Sequence, residues 1–83
     1  MRDVIPLPGY RLAVRFYDGT AGIVDMSQRV TSPEAGVFAV LADPEHFAKV
    51  FVEYGAVTWP GEIDLAPDAM HDEISARGEW RLS

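Results

Sequence analysis

The sequence has no cysteine, two histidines, and only seven Lys and Arg residues against thirteen Asp and Glu. Without cysteine there is no disulfide framework, no thiolate zinc site and no thiol nucleophile, and nothing ties the chain to an oxidising compartment. A formal charge of −6 repels phosphate backbones, so nucleic-acid binding by general charge neutralisation is disfavoured. Long apolar runs are missing too: the uncharged stretch around Val37 to Ala42 falls far short of the roughly 20 apolar residues a membrane span needs. In the opening Met1-Arg2-Asp3-Val4-Ile5-Pro6, an acid and a proline stand where a secretory signal would carry its apolar stretch. A cytoplasmic protein with no membrane contact is the expectation.

What is present suffices for one small domain. With 48% hydrophobic residues, seven glycines and six prolines, the 83-residue chain is too apolar for disorder and too interrupted for a coiled coil. A single compact domain over residues 1–78 is expected, followed by a C-terminal tail, residues 79–83. A domain of this size removes only roughly 60–65% of its unfolded surface from water, so its stability margin is thin and self-association would help it.

Leu12, Val14 and Phe16 alternate with Arg11, Ala13, Arg15 and Tyr17, the period of a half-buried strand. Asp18-Gly19 follows and Thr20 to Met26 resumes the pattern, which predicts a hairpin with a two-residue type I′ loop. Such a loop sets Phe16 opposite Ala21, Arg15 opposite Gly22 and Val14 opposite Ile23. Val4 to Leu7 reads as another strand, at an edge or bulge because Pro6 donates no hydrogen bond, joined through a looser Pro8-Gly9 connection. Were that connection only two residues long, Ile5 and Leu7 would pair with Leu12 and Tyr10 on the buried face, with Arg2, Arg11 and Arg15 on the other.

Ser32-Pro33-Glu34 combines an N-cap residue, a proline suited to the first helical position and an acid near the positive helix end. It predicts a short helix with Val37, Phe38, Val40 and Leu41 on one side, ended by Asp43-Pro44, which can cap one further turn carrying His46 and Phe47. Lys49 to Trp59, rich in β-branched and aromatic residues, reads as one strand bent at Gly55. A second helix opens at Pro67-Asp68, carries Met70 and Ile74 at i, i+4, and stops at Arg77-Gly78. The fold class is α+β: an N-terminal antiparallel β-meander packed with two short helices and a further bent strand.

Several of these pieces resemble a known family. They are Val4-x-Pro6-Leu7-Pro8-x-Tyr10-x-Leu12, Phe16-x-Asp18-Gly19, Val24-Asp25, Phe38-x-x-Leu41, Phe47, Val50 and, most specific, Thr58-Trp59-Pro60-Gly61-x-x-Asp64-Leu65-x-Pro67-Asp68. Over about residues 3 to 72 the chain is similar to domain-of-unknown-function family 2442. The resemblance implies a small bacterial α+β domain without an assigned activity. Some members are fused to a helix-turn-helix segment, and many are encoded beside another small domain of unknown function, family 4160, in a toxin–antitoxin-like arrangement. It supplies no catalytic residues to carry over.

Charge is unevenly placed, +1 over residues 1–32 and −7 over residues 33–83. The candidate interface residues are Tyr54, Trp59, Asp64, Asp68 and Trp80: the rings supply contact area at small entropic cost and the carboxylates steer a basic partner. Trp59, next to Pro60-Gly61, reads first as a core residue packed over the end of a sheet, with the interface as its functional alternative. Arg2, Arg11 and Arg15 are the candidate anion-facing residues, on a face that reads first as solvated, with its arginines paired to the domain's own carboxylates. Asp64, Asp68, His71, Asp72 and Glu73 are the densest group of potential metal ligands, but first-turn acids already suit the helix dipole and a metal needs three or four converging ligands. Neither a Gly-x-Ser-x-Gly elbow nor a phosphate-cradling glycine loop accompanies the serines.

The expectation is therefore a protein-interaction module and not an enzyme, with no catalytic, metal or cofactor-binding residues and no cofactor. Its partner would be another protein, such as a small basic operon partner to which it is the antitoxin-like or accessory member. A second copy across an open sheet edge is a further expectation. The alternatives are a nucleic-acid-associated regulator using the Arg face and a small metal-binding domain or enzyme around His71.

Overall fold

A computed structural model describes residues 1–82. The elements run β1 (Asp3–Leu7), β2 (Arg11–Arg15), β3 (Ala21–Asp25), α1 (Ser27–Thr31), a 3-10 helix (Gly36–Ala42), α2 (Pro44–Phe47), β4 (Phe51–Glu53), β5 (Ala56–Trp59), β6 (Ile63–Asp64), α3 (Pro67–Arg77) and β7 (Glu79–Arg81). The strands form two sheets, ordered β1-β2-β3-β7 and β4-β5-β6, antiparallel except for β7 beside β3. The fold is α+β with the N-terminal meander in place. Among the described residues no helix is long and apolar enough to cross a membrane.

The meander's register differs from the expected one by one residue. Arg15 lies opposite Ala21, Val14 opposite Gly22 and Leu12 opposite Val24. Phe16 N donates to Thr20 O at 2.8 Å and Gly19 N to Phe16 O at 3.1 Å, so the loop is Tyr17-Asp18-Gly19, with positive φ at Gly19 alone. This is a type I turn followed by one left-handed residue. The Asp18 carboxylate decides it: Oδ1 accepts from Thr20 N at 2.9 Å, a local bond that holds Asp18 in the ordinary turn conformation.

The β1–β2 connection also has three residues, Pro8-Gly9-Tyr10, the last two at φ 78° and 60°. Val4 then pairs with Val14 and Pro6 with Leu12. Val4 and Pro6, not Ile5 and Leu7, therefore share the inner face, and Ile5 is 53% exposed. Arg2 N also donates to Arg15 O at 2.8 Å, so Arg2 and Asp3 both stand opposite Arg15, a bulge at which the strict alternation of β1 ends; Arg11 and Arg15 lie on the outer face. Pro6 is placed by hydrogen-bond parity. Met26 N donates to Tyr10 O and Phe16 N to Thr20 O, so even-numbered β2 residues bond to β3 and odd ones to β1. Asp3, Ile5 and Leu7 accordingly face β2, while Pro6 points its ring nitrogen at the open edge, where a missing N–H breaks no ladder bond.

Residues 36–42 wind as a 3-10 helix, and the predicted apolar side splits. With three residues per turn, i and i+3 eclipse. Phe38 and Leu41 pack inward, whereas Val37 and Val40 are 69% and 45% exposed. Ser32 starts no helix; its Oγ accepts from Glu34 N within a turn, and the α-helix lies earlier, at α1. Asp43 does cap α2, Oδ1 accepting from Glu45 N at 3.0 Å.

The expected bent strand is two strands. Glu53 pairs with Ala56 and Val52 with Val57, so Tyr54-Gly55 is a two-residue loop with both residues at positive φ, 51° and 74°. Here is the tight hairpin that Asp18-Gly19 does not make. Helix α3 matches its expected bounds, with Met70 and Ile74 buried and Gly78 N donating to Ile74 O. Residues 79–81 are not a tail but a strand, with Trp80 packed partly against the core. Leu12, Val14, Val24, Met26, Leu41, Val57, Trp59 and Met70 form the wholly buried centre between the two sheets and α3.

Two substitutions test this packing. A Cβ at Gly22 would run into Gly78 O and lie 2.7 Å from Ile74 Cγ2, because α3 and its cap press directly on β3. Gly22→Ala is expected to cost about 1–3 kcal/mol, since backbone must move, measured by urea unfolding. Tyr54→Asn is expected to stabilise by about 1 kcal/mol, because Asn accepts the left-handed conformation that strains tyrosine; an unchanged or lower urea midpoint would contradict this.

Candidate functional site

The expected interface residues fall in separate places. Tyr54 is fully exposed at the tip of the β4–β5 hairpin. Asp64 and Asp68 are exposed, on β6 and in the first turn of α3. Trp80 is half-buried on β7, in the other sheet. Trp59 is wholly buried and presents no surface to a partner; its indole Nε1 donates to Phe47 O at 2.9 Å.

On the outer face of the meander the arginines meet carboxylates in register. Arg15 faces Asp3 across the ladder, and its guanidinium holds Asp3 by two bonds, 3.1 and 2.8 Å. The bond from Arg15 keeps the Asp3 carboxyl below its ordinary range and raises Arg15 in turn. Asp25 lies between Arg11 and Arg81 in the ladder. It is lowered first by the N–H of Ser27, at 3.0 Å, then by the Ser27 hydroxyl, at 2.7 Å, with the two arginines adding less. The face is thus a mixed-charge lattice and not a basic ribbon.

His71 closes a tether between α3 and the β2–β3 turn. Its Nε2 lies 2.7 Å from Asp18 Oδ2, its ring packs edge-on to Phe16 at 4.9 Å, and Ser75 Oγ is 3.5 Å from Nδ1. Asp, His and Ser in a row have the connectivity of a proton relay. However, 3.5 Å exceeds the roughly 2.6–3.2 Å of a proton-transferring bond, and Ser75 sits in the last turn of α3, where backbone N–H groups are committed to the helix. The arrangement works as a clamp. Among the described residues no three His, Cys, Asp or Glu side chains gather as metal ligands.

One concavity was not legible in the sequence. It is a groove of about 350 Å³ between the β1–β2 turn and α2, lined by Pro6, Leu7, Pro8, Tyr10, Pro44 and Phe47, with exposed Ala48 at its mouth. Its floor is held at two levels. The Tyr10 hydroxyl donates to Ala42 O, and its ring meets Phe47 edge-on at 5.6 Å. Phe47 in turn lies 5.9 Å from Trp59, whose indole bonds the Phe47 carbonyl. Tyr10 reaches this position with φ 60°, a strained conformation for tyrosine that the ring contacts and the hydroxyl bond maintain. A cue existed in the prolines of Pro6-Leu7-Pro8 and Asp43-Pro44, which stiffen the end of β1 and the start of α2, but nothing local says that Pro8 and Pro44, 36 residues apart in sequence, face each other.

Asp18 makes the clamp pH-dependent. Hydrogen bonds, first from the Thr20 N–H and then from His71, bring its carboxyl from 3.8 down to about 2. Because the folded state releases this proton more readily than the unfolded chain, the interaction adds stability above about pH 4 and loses it as pH falls toward about 2. Asp18→Asn is expected to lower the melting temperature at pH 7 and to narrow its drop between pH 4 and pH 2, read by circular dichroism; an unchanged drop would contradict the assignment.

Comparison with curated proteins and with solved structures found no match. A family model covers nearly the whole of this architecture, from Met1 through α3: residues 1–76 match the family described as Protein of unknown function (DUF2442), and the chain belongs to that family.

Proposed function

We propose that the protein is a small interaction module whose groove takes up an apolar segment of another protein. The observation that supports this reading is the chemistry of the groove. Its one polar side chain, Tyr10, has already committed its hydroxyl to Ala42 O. A bound substrate would find no acid, base or nucleophile among the lining side chains. Apolar side chains of a protein segment, by contrast, would leave water with a gain of about 25 cal/mol per Å². Three of the lining residues are prolines, so the walls are rigid before binding and little chain entropy is lost.

The overall charge favours a basic partner at long range, although at the groove itself Arg11, whose Nε donates to Pro8 O, and exposed Lys49 stand beside the acids. Asp43 and Glu45 are exposed on either side of Pro44, and the chain as a whole carries −6. Such charge raises the association rate of a Lys- or Arg-flanked segment more than its final affinity, and the effect fades with salt.

Titrating the 15N-labelled protein with a peptide that carries one phenylalanine or leucine between lysines tests the reading. Amide shifts should centre on Leu7, Tyr10 and Ala48 and weaken as salt is raised. They should vanish in Ala48→Trp, which fills the mouth from an exposed position. Absence of shifts at these residues, or shifts indifferent to Ala48→Trp, would reject the groove. Shifts confined to Arg11 and Arg15 on adding an oligonucleotide would favour a nucleic-acid regulator instead.

A further inference from the structure

We infer that the free edge of β7 pairs antiparallel with β7 of a second copy, about a two-fold axis between the two Trp80 residues. Among the described residues β7 has a neighbour on one side only, β3. Gly78 O accepts from Ile23 N at 3.2 Å and Leu82 N donates to Asp25 O at 2.9 Å, so residues 78, 80 and 82 turn their backbone groups toward β3. By alternation, Glu79 and Arg81 turn their N–H and C=O groups outward.

A two-fold arrangement centred on Trp80 sets Glu79 opposite the partner's Arg81 and Arg81 opposite the partner's Glu79. These are the positions that exchange paired backbone hydrogen bonds in an antiparallel ladder. Within one chain the two side chains meet only loosely, Arg81 Nη2 lying 3.3 Å from Glu79 Oε1 with both well exposed, and the pairing offers each an opposite charge directly across the ladder. A parallel, in-register pairing would instead set like charges side by side, so the charge order selects the two-fold form. Trp80 becomes the non-hydrogen-bonded central pair, the closer of the two kinds. A cavity of about 300 Å³ beside the strand, bounded by Glu73, Arg77, Glu79, Trp80 and Arg81, leaves space along this edge for a second strand and its charged side chains. The opposite edge of the sheet is less suited to the same pairing, because Pro6 stands within it without an N–H.

Sedimentation equilibrium of the whole chain should show a concentration-dependent monomer–dimer equilibrium. Arg81→Glu and Glu79→Arg should each weaken the dimer by about tenfold or more, since every dimer loses two attractive pairs and gains repulsion. An equimolar mixture of the two variants should associate, and the charge-swapped double variant should regain the original affinity. Arg81→Pro, which removes an outward N–H without touching the ladder to β3, should leave a folded monomer by circular dichroism. A chain that stays monomeric at the highest soluble concentration, a dimer indifferent to both single reversals, or a double variant that fails to recover would each overturn the inference.

Discussion

The fold depends on how one indole is held. Trp59 is the largest side chain wholly removed from water, and a tryptophan so placed needs a partner for its N–H. That partner is the carbonyl of Phe47, the last residue of a four-residue helix that could not stand alone. Asp43 and Pro44 start this helix, the indole fixes its end, and Phe47 is left wedged between Trp59 of one sheet and Tyr10 of the other. The two sheets are thus joined through aromatic rings and two carbonyls. The groove is the outer side of that joint, which explains how a surface feature of so small a domain can be rigid.

Charge is organised with the same economy. Three arginines and three carboxylates on the outer face of the meander lie in cross-strand rows, Asp3 with Arg15, Asp25 between Arg11 and Arg81, and Glu79 beside Ile23. Exposed pairs of this kind add little stability each. They do neutralise the face locally, so that the surplus of acid is carried by the second half of the chain, around α2, β4 and α3.

Sequence patterns located most elements but misplaced what depended on competition between similar signals. α3 was legible from Pro67 to Gly78 because its start, its buried pair and its stop are all local. The two hairpins were not, although both contain a turn-favouring glycine. Asp18-Gly19 has the stronger type I′ composition, yet the bond from Thr20 N to the Asp18 carboxylate keeps Asp18 out of the left-handed region. Tyr54-Gly55 has the weaker composition, and the pairing of Val52 with Val57 on the core side forces it into that region. Likewise Val37 and Val40 looked like core because a 3.6-residue period was assumed where the backbone has three. Of the expected interface residues, Trp59 serves the core, and the groove escaped notice because its two walls are brought together only by tertiary packing.

Pro6 has a consequence for how large an assembly can become. It stands within β1 with its ring nitrogen turned to the strand's outer edge, so one border of the four-stranded sheet continues a hydrogen-bonded ladder poorly, while the other, β7, lacks this impediment. A sheet stoppered on one side has valence one. Joining two such sheets uses up both open borders, giving a ribbon of eight strands that ends in proline at each extremity. The same residue that confines β1 to the rim therefore limits growth through this sheet to a closed pair and denies it the route to a fibre.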